Sequence, residues 1–397
     1  MTLPYILDWL NLLLRWGHLI TGIAWIGASF YFIWLDNSLE EPSEDNKQKG
    51  IGGQLNSIHG GGFYEVAKYK LAPPAMPKTL HWFKWEAYST WLTGFLLLTL
   101  MYYIGAEAYL IDPAKYAIKP WQGILLSLVT LGAGWVIYDV LCKSPLARNV
   151  WLLAGVLLLL IGFAAWGLGN IFSDRAAYLH VGALIGTCMA ANVFFVIIPG
   201  QKALVAAVAA GQAPDAKYAK ASKLRSVHNN YLTLPVLFLM ISNHYPMTYG
   251  HPYAWAVLLA IVLIGAWARH FFNLRHKGVI KPGILVSALV AFMVLAWVIS
   301  PRPATSLPDA EKAAVLDDAQ ALAMVRHHCA GCHSASPTDE IFTIAPAGVL
   351  LDSPEQIRQW AQRIQARVLI SKDMPFLNKT GMTEEERVQL GEWLNVR

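Results

Sequence analysis

Charge and cysteine are both scarce in this sequence. Only 14% of the 397 residues are Asp, Glu, Lys or Arg, 55% are hydrophobic, and four are Cys. A chain so poor in charge is too apolar for a soluble enzyme and too long for one small domain. The net charge of +5 is modest, and the basic residues lie in loops between apolar runs. This distribution suits anionic lipid headgroups and gives no indication of nucleic-acid binding.

Long apolar runs are abundant instead. Eight runs have roughly the length of a membrane-spanning helix, so the sequence predicts an all-α, polytopic helical bundle in a lipid bilayer. The first run lacks a basic n-region and a cleavage site, which indicates a retained span rather than a signal peptide. After it, the polar, Gly- and Pro-rich stretch 36–85, with His59-Gly60-Gly61-Gly62, predicts a loop. The eight predicted spans are 5–35, 86–106, 121–142, 150–170, 176–198, 229–245, 252–272 and 283–300.

Lys and Arg alternate between rich and poor loops along the chain. The loops after spans one, three, five and seven are rich in them, and the intervening loops hold few. The positive-inside bias therefore places both termini on the outer side of the membrane. The predicted domains are a membrane domain over 1–303, a linker over 304–315 and a soluble C-terminal domain over 316–397.

Two of the four cysteines belong to Cys329-Ala330-Gly331-Cys332-His333. A CxxCH motif is the attachment site of haem c, in which both sulfurs bond covalently to the porphyrin and the His binds the iron. A redox CxxC or half of a zinc site are the alternatives, but no second CxxC completes a zinc site. Cys142 and Cys188 lie singly in apolar runs, where packing is their expected role.

The C-terminal domain is predicted to be a small α-helical cytochrome c of class I type. A helix near 310–328 leads into the motif, and Pro346 is placed to orient His333 through its carbonyl. Met374 is the expected sixth iron ligand, because a thioether stabilises ferrous iron and raises the potential. Met382 is the alternative sulfur, whereas His327 and His328 have less suitable spacing.

Ionisable residues inside membrane spans are costly and are functional candidates by default. One set lies toward the outer side: Arg15 and His18 in span one, His180 in span five and His244 at the end of span six. A second set lies toward the cytoplasm: His81 and Glu86 before span two, and Arg225, His228, Asn229 and Asn230 where span six opens.

The chain resembles the bacterial membrane-bound urate hydroxylases over essentially its whole length. That family joins a membrane domain to a C-terminal cytochrome c. The segments that carry the resemblance are Arg15-Trp16-Gly17-His18, Trp25-Ile26-Gly27, His59-Gly60-Gly61-Gly62-Phe63-Tyr64, Leu80-His81-Trp82-Phe83-Lys84-Trp85-Glu86-Ala87-Tyr88, Asp139-Val140-Leu141-Cys142-Lys143-Ser144-Pro145, His180-Val181-Gly182-Ala183, and His228-Asn229-Asn230-Tyr231-Leu232-Thr233-Leu234-Pro235.

The resemblance implies oxidation of urate with water to 5-hydroxyisourate, without peroxide. It also implies that electrons pass through haem c to a respiratory acceptor, a cytochrome c or an oxidase, at the bacterial inner membrane with the cytochrome domain in the periplasm. Urate is a planar monoanion, which Arg and amide groups hold well. If span six begins at Arg225–Asn230, this segment combines such groups with a helix N-terminus, which favours anions.

A urate site near the cytoplasm leaves electrons to cross a hydrocarbon core of about 30 Å. We therefore expect either a haem b relay or a pocket nearer the outer face. The relay would lie between spans one and five, ligated by His18 and His180 with His244 in reserve, and Arg15 would pair with a propionate. Without the relay, Arg15, His18 and His180 become candidates for the pocket. Two other functions remain open: an electron-transfer cytochrome without an organic substrate, and a transporter with a fused cytochrome.

Overall fold

The computed structural model describes residues 3–113, 115–300, 316–339, 342, 344–370 and 372–395. The predicted linker 304–315 lies outside the described residues. Every one of the eight apolar runs contains a helix. The helices of the N-terminal part are α1 Leu3–Ser38, α2 Glu44–Gln48, α3 Trp85–Leu98, α4 Pro120–Lys143, α5 Val150–Gly169, α6 Asp174–Ala191, α7 Ile198–Ala209, α8 Ala216–Ile241, α9 Pro246–Tyr249, α10 Ala254–Arg275 and α11 Gly283–Val298.

Several of these helices are compatible with membrane insertion. Five helical segments among the described residues are long and apolar enough to cross a bilayer, and α11 is a shorter apolar helix. The longest of them includes α6, a π-helical turn at Asn192–Ile197 and α7. The five segments are Tyr5–Ser38, Pro120–Lys143, Val150–Gly169, Asp174–Ala209 and Ala254–Arg275.

Helix α6 forms the centre of the bundle. Most of its residues are buried, and it packs against α3, α4, α5 and α8. Helix α1 packs mainly along α3, and α10 packs against α5, α8 and α11. The core between these helices is apolar and includes Tyr102, Phe172, Val181, Leu239 and Leu258. This arrangement buries His180 of α6 and Arg225, Asn229 and Asn230 of α8 in the interior.

The prediction of an all-α fold is wrong in one segment, since the stretch predicted as loop contains a β-hairpin. Strand β1 (Ile51–His59) pairs antiparallel with β2 (Gly62–Tyr69). Gly60 and Gly61 form the two-residue turn between them, with φ of +57° and +81°. Only glycine adopts such angles freely, and two-residue turns of this kind match the twist of paired strands. The glycines therefore join two strands rather than mark an open loop.

The C-terminal domain is a second helical unit with its own core. Its helices surround a buried cluster that includes Val325, Leu351, Ile357 and Leu390. Thr383 caps the last helix, since its Oγ1 accepts a hydrogen bond from Glu386 N and its own N–H donates to Glu386 Oε2. The helices are α12 Asp318–His328, α13 Pro354–Gln359, α14 Ala361–Ile364 and α15 Glu384–Asn395.

Candidate functional site

The CxxCH motif forms a tight turn at the end of α12. Cys329 caps the helix, with its N–H bonded to the Val325 carbonyl. The Cys329 carbonyl then accepts hydrogen bonds from the N–H groups of Cys332, at 3.1 Å, and His333, at 2.8 Å. Cys329 also packs against the apolar core of the domain. The turn therefore holds both sulfurs and the imidazole on one short segment beside an apolar interior.

The His333 ring is oriented by a backbone carbonyl. Its Nδ1 lies 3.2 Å from the Val349 oxygen, so Nδ1 carries the proton and Nε2 keeps a free lone pair. A His that binds iron usually donates such a hydrogen bond from its other ring nitrogen, which fixes the tautomer and the orientation of the ring. The prediction that Pro346 supplies the carbonyl is wrong by three residues, because Pro346 begins a short 3-10 turn that ends at Gly348. Burial lowers the pKa of His333, which favours the neutral ring that a metal requires.

The environment of the two thiols does not suit a redox CxxC pair. Such pairs lie at helix N-termini, where the dipole lowers the thiol pKa. Cys329 instead follows the C-terminus of α12, and burial raises the pKa of its thiol to about 12. Burial also raises the pKa of Cys332. As free thiols these groups are poor nucleophiles.

The two candidate sulfur ligands lie in different surroundings. Met374 is partly buried at the edge of the apolar core, and its backbone is held on both sides: its N–H donates to Arg367 and its carbonyl accepts from Arg387 Nη1. Met382 is a fully buried core residue. Met374 as the iron ligand stays a prediction, and its place at the edge of the core favours it. His328 is engaged elsewhere, since its Nδ1 lies 2.8 Å from Thr380 Oγ1.

Arg225 belongs to a buried network in the N-terminal helical bundle, among the residues that were predicted toward the cytoplasm. Its Nη2 donates to Asp139 Oδ1 at 2.7 Å and its Nη1 to Asn192 Oδ1 at 3.3 Å. Asn192 Nδ2 donates in turn to Asn229 Oδ1 and to the hydroxyl of Tyr138. The same hydroxyl lies 2.9 Å from His228 Nδ1, and Asn229 Nδ2 donates to Met189 O. Three of the predicted urate ligands thus share one hydrogen-bonded cluster.

The helix N-terminus that was expected at this cluster is not there. Helix α8 begins at Ala216, capped by Asp215, whose Oδ1 accepts a hydrogen bond from Lys217 N. Arg225 and Asn229 therefore lie in the helix interior, where the backbone N–H groups are already bonded within the helix. The prediction failed because the polar first turns of α8 resemble a loop in the sequence. Anion binding by free backbone N–H groups is not available at these residues.

Asn230 faces another side of α8 and meets Arg269, a residue that was not predicted as part of the site. Arg269 is 3% exposed and its Nε donates to Asn230 Oδ1 at 3.1 Å. The Asn230 Nδ2 and Arg269 Nη2 atoms are buried without a hydrogen-bond partner. Arg269 lies within the apolar run 252–272, so the rule for ionisable residues in spans would have found it. Tyr138 and Asn192 carried no such signal.

His81 and Glu86, the other two residues that were predicted toward the cytoplasm, lie outside this network. His81 is exposed and packs edge-on against Phe83, with ring centroids 4.5 Å apart. Glu86 lies in the first turn of α3, and one of its carboxylate oxygens is buried without a hydrogen-bond partner. The structure brings neither residue into the hydrogen-bonded network of Arg225.

Of the residues that were predicted toward the outer side, His180 lies between two aromatic rings. It is fully buried, 5.7 Å from the Tyr102 centroid and 4.9 Å from that of Phe172. Its Nδ1 lies 2.7 Å from the Ala176 oxygen, which only accepts, so Nε2 carries a lone pair; this Nε2 has no partner. Arg175 approaches the buried Tyr102 hydroxyl without the geometry of a hydrogen bond.

His18 lies apart from His180. Its Nδ1 is 3.0 Å from the Thr90 carbonyl on α3, and its ring lies so close to Gly94 that a Cβ there would come within 2.8 Å of His18 Cε1. Within the described residues no contact joins the two His rings, because α1 packs on α3. Arg15 donates to Asn11 and contacts the Met101 sulfur, and His244 is exposed. Among the described residues, no hydrogen bond or ring contact thus joins the four residues that were predicted toward the outer side.

The C-terminal domain contacts the N-terminal helical bundle through aromatic rings. The Tyr109 centroid is 5.6 Å from that of Phe376 and 6.3 Å from that of Phe342. Phe376 follows Met374 by two residues, and the Arg175 guanidinium lies over the Tyr109 ring, 5.9 Å from its centroid. The loop that holds the candidate haem ligand is therefore close to Tyr109, which also contacts Arg175.

The fold and these sites define a mostly helical protein with several apolar helices and a compact C-terminal helical unit. The chain belongs to the urate oxidase N-terminal family, whose family model matches residues 4–300. No curated protein and no solved structure matches the chain. The membership supports an oxidoreductase that acts on urate, and residues 301–397 lie outside the match.

Proposed function

We propose that the protein oxidises urate to 5-hydroxyisourate at a membrane and delivers the electrons to its own C-terminal domain. The reaction is balanced without oxygen: water supplies the oxygen that bonds to C5 of the purine, and two protons and two electrons leave. The observation that carries the proposal is the family match over residues 4–300. A respiratory acceptor, a cytochrome c or an oxidase, then receives the electrons and no peroxide forms.

The residues of the C-terminal domain fit a covalently bound haem c. Cys329 and Cys332 would hold it, and His333 and Met374 would bind its iron. Three features support the fit: the CxxCH turn, the Val349 carbonyl on His333 and the apolar cluster against which Cys329 and Met374 pack. When bound, haem c supplies a one-electron acceptor whose potential is raised by the thioether. The Tyr109–Phe376 contact brings the Met374 loop close to the membrane domain.

Eight membrane spans with both termini in the periplasm of a bacterial inner membrane remain part of the proposal. The helix in each of the eight apolar runs and the five fully span-length segments support it. This topology places the C-terminal domain and the CxxCH motif on the outer side. That is the side on which haem c is attached in bacteria.

A haem b relay between spans one and five is less well supported. His18 and His180 each leave Nε2 without a hydrogen bond among the described residues, as a ligand would, but their Nδ1 atoms contact different helices. The relay therefore stays a prediction, and we derive no step through that group.

The test is anaerobic reduction of purified full-length protein, produced with a haem c maturation system. Urate should generate the absorption bands of reduced haem c, and no peroxide should accumulate when air is admitted. Cys329→Ser and Cys332→Ser should lose covalent haem on denaturing gels, whereas Cys142→Ser, a buried packing residue, should keep it. Wild-type protein that stains for haem but stays oxidised with urate would contradict the proposed reaction.

A further inference from the structure

A cavity opens in the N-terminal helical bundle, between α1, α8 and α10. Its volume is about 400 Å³, which is within the range of small-molecule sites of roughly 300–1,000 Å³. Its walls are mainly aromatic, with one buried cation and one imidazole. The lining residues are Phe30, Tyr31, Trp34, Leu234, Arg269, Phe272 and His276.

The cation of this cavity has no counter-charge within the described part of the chain. Arg269 is 3% exposed, yet none of the ion pairs among the described residues includes it. Its guanidinium lies over the Phe30 ring, 3.8 Å from the centroid, and Nε donates to the neutral amide of Asn230. A buried charge without an ionic partner is costly, so the fold retains an unbalanced positive charge beside a cavity.

Unpaired polar atoms also lie beside this wall of the cavity. Among the described residues, Arg269 Nη2, His276 Nδ1 and the Nδ2 of Asn230, which contacts Arg269 but does not line the cavity, are buried and have no hydrogen-bond partner. Buried polar groups in native proteins almost always have partners. Two of these groups are obligate donors, so the missing partner is an acceptor.

We propose that this cavity binds the urate anion, with Arg269 as its cationic lining residue and the aromatic side chains against its ring faces, while Asn230 positions the guanidinium from behind. This inference rests on the proposed function and gives that reaction a substrate site. Urate carries one negative charge and several carbonyl oxygens in a plane, which matches a guanidinium. Planar rings also pack well between aromatic walls. The site shares Asn230 with the sequence prediction and replaces Arg225 with Arg269.

An anionic lipid headgroup is the competing occupant, because the cavity lies between helices that are expected to face the bilayer. The buried guanidinium favours a planar ligand that accepts along an edge. A phosphate would draw on more than one cation, and among the described lining residues His276 is the only other basic side chain.

The decisive variants are Arg269→Gln and Asn230→Asp. Arg269→Gln removes the charge and the free Nη2 donor. Asn230→Asp is isosteric but supplies a carboxylate to Arg269 from within the chain, so it should preserve the fold while it repels urate. Both should raise the half-saturating urate concentration for anaerobic haem c reduction by about tenfold or more. Reduction by dithionite should be unchanged, and Arg275→Gln, an exposed position on the same helix, serves as the matched control.

Equilibrium dialysis with labelled urate, in the full-length protein, separates this inference from the proposed function. Urate binding that both variants abolish supports the site, even if wild-type haem is not reduced by urate, which would overturn only the reaction. Wild-type urate dependence in both variants would overturn the site and leave the reaction standing. Normal urate binding in Arg269→Gln together with loss of co-purifying anionic phospholipid would assign the cavity to lipid. If Arg269→Gln fails to fold, Asn230→Asp alone distinguishes a urate site from its absence.

Discussion

Two arginines are buried in the N-terminal helical bundle, but their surroundings differ. Arg225 has a carboxylate at 2.7 Å, from Asp139, and a side-chain amide at 3.3 Å. Arg269 has an amide and an aromatic face but no carboxylate among the described residues. A charge that the chain compensates itself contributes to structure. A charge that it leaves uncompensated beside a cavity is available to a ligand.

The same contrast divides two neighbouring residues of α8. Asn229 uses both ends of its amide, since it donates to Met189 O and accepts from Asn192. Asn230 accepts from Arg269 but keeps its Nδ2 unpaired. Successive helix positions are about 100° apart, so one amide enters the Arg225 network while the next reaches Arg269. The division separates a structural side of α8 from a binding side.

The largest expected effect comes from breaking the compensated pair. In Arg225→Ala, the largely buried Asp139 side chain keeps only the exposed Lys143 as an ionic partner among the described residues. Loss of one partner of a buried ion pair costs about 3 kcal/mol, so the thermal midpoint in detergent should fall by several degrees. In protein whose Cys329 and Cys332 are blocked by covalent haem c, a maleimide dye that reacts with the buried Cys142 and Cys188 upon unfolding reports this for the N-terminal helical bundle alone.

Replacing the exposed Arg148 by Ala is the matched control and should change stability by less than about 0.5 kcal/mol. An unchanged midpoint in Arg225→Ala would show that the Asp139 pair does not hold the helices together. Arg225 and Arg269 would then contribute to stability alike, whether or not a carboxylate lies beside the guanidinium.

Arg269→Ala should cost less stability than Arg225→Ala, although both remove a buried guanidinium. It removes the Asn230 bond and the stacking on Phe30, but it also removes an uncompensated buried charge. We expect a loss of about 1 kcal/mol, measured with the same dye. A loss as large as that of Arg225→Ala would make Arg269 a structural residue.

The parts of the molecule that could be predicted from sequence are those in which the chemistry is local. Cys329, Cys332 and His333 are adjacent in sequence, so their turn needed no knowledge of the tertiary fold. The apolar runs likewise predicted where helices form. The bounds of α8 were missed because its first turns are polar and are held by Asp215 rather than by an apolar pattern.

The inner site could not be predicted because its partners come from distant segments. Arg269 and Asn230 are 39 residues apart and meet only when α10 packs against α8. Asn192 and Tyr138 join the Arg225 network from two further helical segments. A sequence shows that Arg225 and Arg269 are ionisable, but only the packed helices show which of them has a carboxylate.

The smallest expected effect isolates one hydroxyl of the Arg225 network. Tyr138→Phe keeps the ring on which the guanidinium rests, 4.8 Å from its centroid. It removes the oxygen that serves His228 and Asn192. Leaving such groups unpaired costs about 1 kcal/mol or somewhat more, so the midpoint should fall by less than in Arg225→Ala. Urate-dependent haem c reduction should remain at the wild-type level, since this hydroxyl belongs to the structural side of α8. Loss of that activity in a folded Tyr138→Phe protein would place His228 in the substrate site and would erase the distinction between the two arginines.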